Sequence, residues 1–350
     1  MAVFWRLGLG PQTHEKMPNI RSRLALTLAV FGASALAACV LAPLVGSTPL
    51  SLRRVFDRSI PFQDNVDAQI FFVARLPRVL AAALVGSTLA AAGVVFQALL
   101  RNPLATPFTL GVSAGAALGA MVAITFGVDF AVGTLPTVPI ASFAGALGAV
   151  AIVYAMARAR HHGFSTNVLL LAGVTLNSFF SALILFVQYL ADFTQTFRTV
   201  RWLMGDLDVG SYTPILAAVP FAALSFAAFA TLPRSLNVLT LGPEAALARG
   251  IEVVSTQRLA FFSASLATGA AVSLGGPVGF IGIVVPHLVR LLVGSDHRLV
   301  LPASALFGAA FLIACDVGAR TLMAPTEIPV GVITALIGGP FFLWLLIKRS

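Results

Sequence analysis

Apolar residues in this chain run in long blocks, and polar residues gather in short breaks between them. A helix rises about 1.5 Å per residue, so about 20 apolar residues cross the hydrocarbon layer of a membrane. Cut at turn and charge signals, the sequence predicts ten spans, approximately 24–43, 68–99, 109–127, 137–157, 168–191, 213–232, 258–275, 278–293, 299–321 and 329–347. The second is long enough to tilt or protrude. The seventh and eighth are short and are split by Gly275-Gly276-Pro277. This pattern reads as an all-α polytopic membrane protein, with a polar basic tail over residues 1–23 and a single transmembrane domain over 24–350.

The longest polar interruption on the side of the tail covers 233–257. Within it, Pro243 to Gly250 has Pro at the first helical position, Glu244 in the first turn, Arg249 in the last and Gly250 just beyond. Those are the end signals of a two-turn helix outside the bilayer. A helix that short is marginal alone and needs something to pack against.

Composition agrees with the spans: 58% of residues are hydrophobic and 10% charged, where a soluble domain has about 25% charged. Short loops rich in Lys and Arg stay in the cytoplasm. With the N-terminus inside, the inner segments carry 14 of the 22 bases and four of the 13 acids, while the outer side is close to neutral. The net charge of +9 thus reflects orientation and gives no argument for nucleic acid. Ten spans return Lys348-Arg349 to the inner side. Leu36-Ala37-Ala38-Cys39 has the form of a lipoprotein processing site, but the apolar run continues to Pro43. Both cysteines, Cys39 and Cys315, fall in spans, which argues against a disulfide or a metal site.

Three outer arginines break the charge rule. Arg75 and Arg78 lie three apart at the outer mouth of the second span, on one helical face, and Arg320 follows Asp316 by four near the outer end of the ninth. Two readings stand: a basic rim that docks an acidic partner from outside, or snorkelling and an internal Asp316–Arg320 pair.

Further along, Leu100 to Pro107 makes an inner turn with two prolines, and Gly111, Gly115 and Gly119 offer a smooth face for a neighbouring helix. His161-His162 reads as a solvated loop. In the fifth span Thr175, Ser178, Ser181 and Gln188 form a polar stripe, either interhelical packing or a water-lined wall, with Gln188 and Asn177 favouring the wall. A shift of 189 residues superposes Gly86 on Gly275, Gly93 on Gly282, Arg101 on Arg290 and Gly119 on Gly308, which reads as a parallel internal repeat.

The sequence contains no phosphate-binding Gly-x-x-x-x-Gly-Lys-Ser/Thr loop, and its only lysines are Lys16 and Lys348. No chain of acids or histidines marks mid-membrane, since Asp316, Glu327 and His287 fall toward span ends. Glu327 reads as a cap for the helix near Pro329. No catalytic constellation is present. A permease driven by a separate ATPase is the reading left.

Arg75-Leu76-Pro77-Arg78, the Arg101-Asn102-Pro103-Leu104 turn, Leu170 to Val174, Trp202 to Gly205, Gly279 to Arg290, Asp296-His297-Arg298 and Glu327 to Gly331 together are distinctive. Through them the chain resembles the iron-chelate (siderophore or haem) and cobalamin uptake permeases of ABC importers, the FecCD-type transmembrane subunits. The likeness covers roughly 25–348, and Gly279 to Arg290 is its most specific part. It implies a type II ABC importer permease fold with ten helices, in the bacterial cytoplasmic membrane with both termini cytoplasmic. The subunit would be no enzyme and hold no cofactor. It would pair with a second permease copy, bind two ATP-binding subunits inside and receive substrate from an external binding protein. By the same resemblance Arg75, Arg78 and Arg320 dock that protein, and Asn102, Leu104, Thr166 and Asn167 form the cytoplasmic gate. Glu244, Ala245, Leu247, Arg249 and Gly250 couple to the ATPase, while Thr175, Ser178, Ser181 and Gln188 line the path. A ferric siderophore is the expected cargo, with haem or cobalamin as alternatives and an ion-coupled secondary carrier as the alternative of another class. Asp206-Leu207-Asp208 departs from the family pattern and leaves the substrate open.

Overall fold

The computed structural model describes residues 20–128, 136–159 and 166–349. The basic tail through residue 19, including Met17, and His161-His162 lie outside them. After α1 (Ile20–Leu41) the chain makes a loop with a short helix at Leu52–Val55, then α2 (Val66–Leu99), which widens into a π turn over Ile70–Arg75. Next come α3 (Val112–Thr125), α4 (Thr137–Ala159), α5 (Thr166–Leu190), α6 (Phe193–Leu203) and α7 (Thr213–Thr231). Two short helices, α8 (Pro233–Leu239) and α9 (Pro243–Leu247), precede α10 (Val253–Gly275), α11 (Ile281–Val293), α12 (His297–Thr321) and α13 (Val330–Arg349).

Each of the ten expected spans is a helix. Beyond them and the expected α9, the described residues form three further α-helices: Leu52–Val55, α6 and α8. α6 mixes Arg198 and Arg201 with Phe193 and Phe197, too polar for a spanning pattern, and Asp192 caps it by accepting the Gln195 backbone N–H at 2.8 Å. α8 was hidden in the polar connector. The helix expected over Pro243 to Arg249 is two residues shorter: α9 ends at Leu247, Arg249 lies past it, and Gly250 turns the chain at φ +74°.

Even numbers of crossings return the chain to one face. The Arg23 guanidinium, at the start of α1, donates to the Val293 carbonyl at the end of α11 at 3.0 Å, eight spans later. α13 ends on this same side, here called the terminal face.

α2 and α10 run through the middle of the bundle, and α2 packs along α12, α10 and α11. Lipid is as apolar as a helix surface, so close backbone approach and dispersion hold such helices together. At Gly86 a Cβ would lie 2.2 Å from the Gly308 carbonyl oxygen of α12, so only glycine allows that crossing. Gly115 and Gly119 meet α4 at Gly145 and Ala141 in the expected way, but Gly111 does not belong to that face. It adopts φ +76°, joining the 3-10 turn Pro107–Leu110 to α3.

Helix lengths overturn the repeat of 189 residues, which set the long α2 against the short α11. The consistent match is α2-α3-α4-α5 with α10-α11-α12-α13. In both quartets a short second helix follows a residue in the left-handed region, Gly111 at φ +76° and Phe280 at φ +67°. Matched helices are offset by five spans, an odd number, so the two quartets run in opposite directions through the membrane, an arrangement common in transporters. Coincident glycines misled the sequence register because both halves are rich in them.

Candidate functional site

On the face opposite the termini, two arginines, Arg78 and Arg320, converge on one carboxylate. Asp316, fully buried on α12, accepts from Arg78 Nε at 2.8 Å and contacts Arg320 Nε at 3.0 Å. The other end of Arg78 donates to Glu327, whose side chain is 43% exposed and is the member of the cluster within reach of solvent. Glu327, three residues before α13, thus pairs with Arg78. Arg75 turns away from Arg78. It donates to the carbonyls of Pro43 and Thr48, against Gly46, where a Cβ would collide with its guanidinium. Arg320 also reaches this loop, at the Ala42 and Val45 carbonyls. The three arginines are therefore buried in one network, not displayed as an open rim, and the expected Asp316–Arg320 pair is part of it.

Beside the cluster lies a cavity of about 670 Å³, lined by Arg78, Glu327, Arg201, Asp206, Met204 and Val330 among others. The segment after α6 forms one wall and is pinned at both sides. Gly331 N–H donates to the Met204 carbonyl at 3.1 Å and Asp206 N–H to the Gly275 carbonyl at 3.1 Å. The Asp206 carboxylate accepts from Arg201 at 2.9 Å and from the Asp208 N–H at 2.9 Å. Asp206 is thus a turn-forming residue, while Asp208 remains exposed.

The stripe on α5 faces outward from the chain. Thr175, Asn177, Ser178 and Ser181 are exposed and Gln188 half-buried, while Leu169, Leu176, Phe180 and Ile184 face the bundle. At the terminal face, Asn102 Oδ1 accepts the Leu104 N–H at 2.9 Å, folding a tight turn that starts with Arg101 at φ +49°. Leu104 is exposed on this turn and Asn167 at the start of α5, where Thr166 is the first residue. The 3-10 turn joins the two regions: a Cβ at Gly173 of α5 would lie 2.3 Å from the Thr109 carbonyl.

α9 projects from the same face. Ala246 anchors it in the core and Ala245 is half-buried, while Glu244, Leu247, Arg249 and Gly250 are exposed. An exposed Leu241 and Leu247 beside charged neighbours form an apolar knob on a surface of loops. His287 packs edge-on against Phe341, 5.9 Å between ring centroids, a packing role. Among the described residues no group of three or more His, Cys, Asp or Glu could hold a metal ion.

Residues 34–348 match the model of the FecCD transport family. The chain belongs to that family. It is 45% identical to the cobalamin import system permease BtuC of Halobacterium salinarum, over 79% of this chain and 73% of that one. It is 37% identical to the hemin transport system permease HmuU of Yersinia pestis, over 87% and 90%. Among solved structures it resembles a metal-chelate type ABC transporter in an inward-facing conformation, with TM-score 0.78, 32% identity, and coverage of 93% of this chain and 99% of that one. This FecCD chain is an ABC importer permease, a multi-pass membrane subunit and not an enzyme. Sequence reasoning had the residues of the cluster opposite the termini but not the Arg78–Asp316 pairing, which links two helices distant in sequence and leaves no local signal. It also missed a buried link at the terminal face, where Arg290 donates to Gln97, which in turn donates to the Gly282 carbonyl at 3.0 Å.

Proposed function

We propose that this permease imports a ferric siderophore by alternating access, moving it from an external binding protein into the cytoplasm. The observation that supports the path is the polar stripe of Thr175, Ser178 and Ser181, exposed on α5 among Leu171, Val174, Phe179 and Leu185, while Leu169, Leu176, Phe180 and Ile184 pack into the bundle. A polar face at membrane depth needs protein or water to satisfy it, and a second permease copy opposite α5 makes it a channel wall. The path then runs along Thr175, Ser178, Ser181 and Gln188 to the gate at Asn102, Leu104, Thr166 and Asn167. The terminal face is cytoplasmic, in keeping with its excess of bases.

ATP is hydrolysed by two partner subunits seated on Glu244, Ala245, Leu247, Arg249 and Gly250. The binding protein docks on the opposite face. An incoming carboxylate replaces Glu327 on Arg78, while Arg75 and Arg320 hold the supporting loop. An iron chelate as cargo is supported by the likeness to the metal-chelate type transporter; the cobalamin and hemin permeases among the relatives keep those cargoes as competing readings. Competition among ferric siderophores, haem and cobalamin for ATP-dependent uptake decides the matter. A ferric siderophore taken up in preference supports the assignment, and preference for haem or cobalamin replaces it.

A further inference from the structure

Asp296-His297-Arg298 belongs to none of the roles above, yet it closes a hydrogen-bonded clasp with α8. The amide of Asn237 makes three hydrogen bonds there. Its Oδ1 accepts the His297 backbone N–H at 2.9 Å and lies 2.7 Å from His297 Nδ1. Its Nδ2 donates to Asp296 Oδ1 at 2.7 Å. An amide oxygen only accepts, so the imidazole proton sits on Nδ1. Asp296 meanwhile caps α12 through the Arg298 N–H at 3.0 Å and pairs with the Arg298 guanidinium at 2.6 Å. The first turn of α12 is thereby fixed to α8.

Two further contacts extend the clasp in both directions. Toward the aqueous side, the Leu241 and Gly242 N–H groups close the end of α8 on the Val238 and Leu239 carbonyls, and the Ala246 N–H opens α9 on the Gly242 carbonyl, so Gly242 at φ +120° is the single residue between the end of one hydrogen-bonded turn and the start of the next. Toward the opposite face, α12 is a single helix of 25 residues, about 37 Å at about 1.5 Å per residue. Its far end carries Asp316 and Arg320, and its middle touches α2 backbone to backbone at Gly308. Packed helices transmit displacement because their interfaces have discrete fits rather than elastic ones.

We propose that Asn237 is a positioning residue for transport, the clasp through which movement of α8–α9 is passed to α12 and so to the Arg78–Asp316–Arg320 cluster across the membrane. This rests on the reading that α9 receives the ATPase. The test uses the permease assembled with its ATPase subunits and binding protein in proteoliposomes, measuring ATP hydrolysis and chelate uptake in the same sample. Asn237→Ala is expected to keep ATPase assembly and hydrolysis near wild type while uptake per ATP falls about tenfold, within the usual range of coupling between sites. Asp296→Asn in the otherwise wild-type chain keeps an acceptor for Asn237 and a cap for α12, and is expected to retain nearly wild-type uptake per ATP. Equal falls in hydrolysis and uptake, or an unchanged ratio in Asn237→Ala, overturn the clasp alone. A wild-type assembly that shows no ATP-dependent uptake overturns the functional reading with it.

Discussion

Arg78 and Asp316 stand 238 positions apart in the chain and 2.8 Å apart in space, and the same carboxylate also contacts Arg320. One buried acid thus neutralises parts of two guanidiniums and ties α2 to α12. Removing one member of a buried pair leaves the partner's charge desolvated, at about 3–5 kcal/mol, whereas replacing the pair by apolar groups costs little. Asp316→Ala should therefore lower the thermal midpoint of the detergent-solubilised permease sharply, and Asp316→Leu with Arg320→Met should recover much of the loss. Equal midpoints for wild type and Asp316→Ala would show that the pairing does not hold the outer end together.

Gly86 and Gly308 give a second check. A Cβ at Gly86 would lie 2.2 Å from a backbone oxygen, which no side-chain rotation relieves. Gly86→Ala is expected to destabilise by about 1–3 kcal/mol, the usual scale of overpacking. Gly148, with open space around its Cβ position, serves as the control, and Gly148→Ala should leave the thermal midpoint close to wild type.

Asp296 supplies the pH dependence. Hydrogen bonds from Arg298 first, and then from Asn237, hold its carboxyl well below the usual carboxylate range. A depressed acid stabilises the fold above its unfolded value of about 3.9, and that stabilisation is lost as pH falls through the folded value. Wild type should therefore exceed Asp296→Asn in stability at neutral pH, and the gap should shrink below about pH 3.9. Denaturant titrations at a series of pH values measure it, and a gap that widens on acidification contradicts the assignment.

The knob on α9 is tested by association. Leu247→Asp places a charge on its exposed apolar surface without touching Ala246, the buried anchor. Affinity for the ATPase subunits in detergent should drop at least tenfold, about 1.4 kcal/mol, with the thermal midpoint of the permease alone unchanged. Undiminished association would move the contact elsewhere.

The spans were legible because crossing a bilayer demands long apolar helices, and that demand is written residue by residue. α6 was not legible, since an amphipathic helix with Arg198 and Arg201 matches no spanning pattern. The polar stripe of α5 was visible in its spacing, and the structure adds that it is exposed in the single chain. Arg75, Arg78 and Arg320 were conspicuous as misplaced charges. The Asp316–Arg320 pair was legible from its spacing of four, but the other partners were not, because Asp316 reaches Arg78 from another helix and backbone carbonyls in the loop after α1 have no sequence signature. The terminal-face link between Gln97 and Arg290 escaped for the same reason.

The most direct measurement of the whole account is uptake of a ferric chelate into proteoliposomes holding this permease, its ATPase subunits and its binding protein. Uptake that requires ATP and all partners, and that ignores proton and sodium gradients, is the expected result. Uptake by the permease alone, driven by an ion gradient, would contradict it.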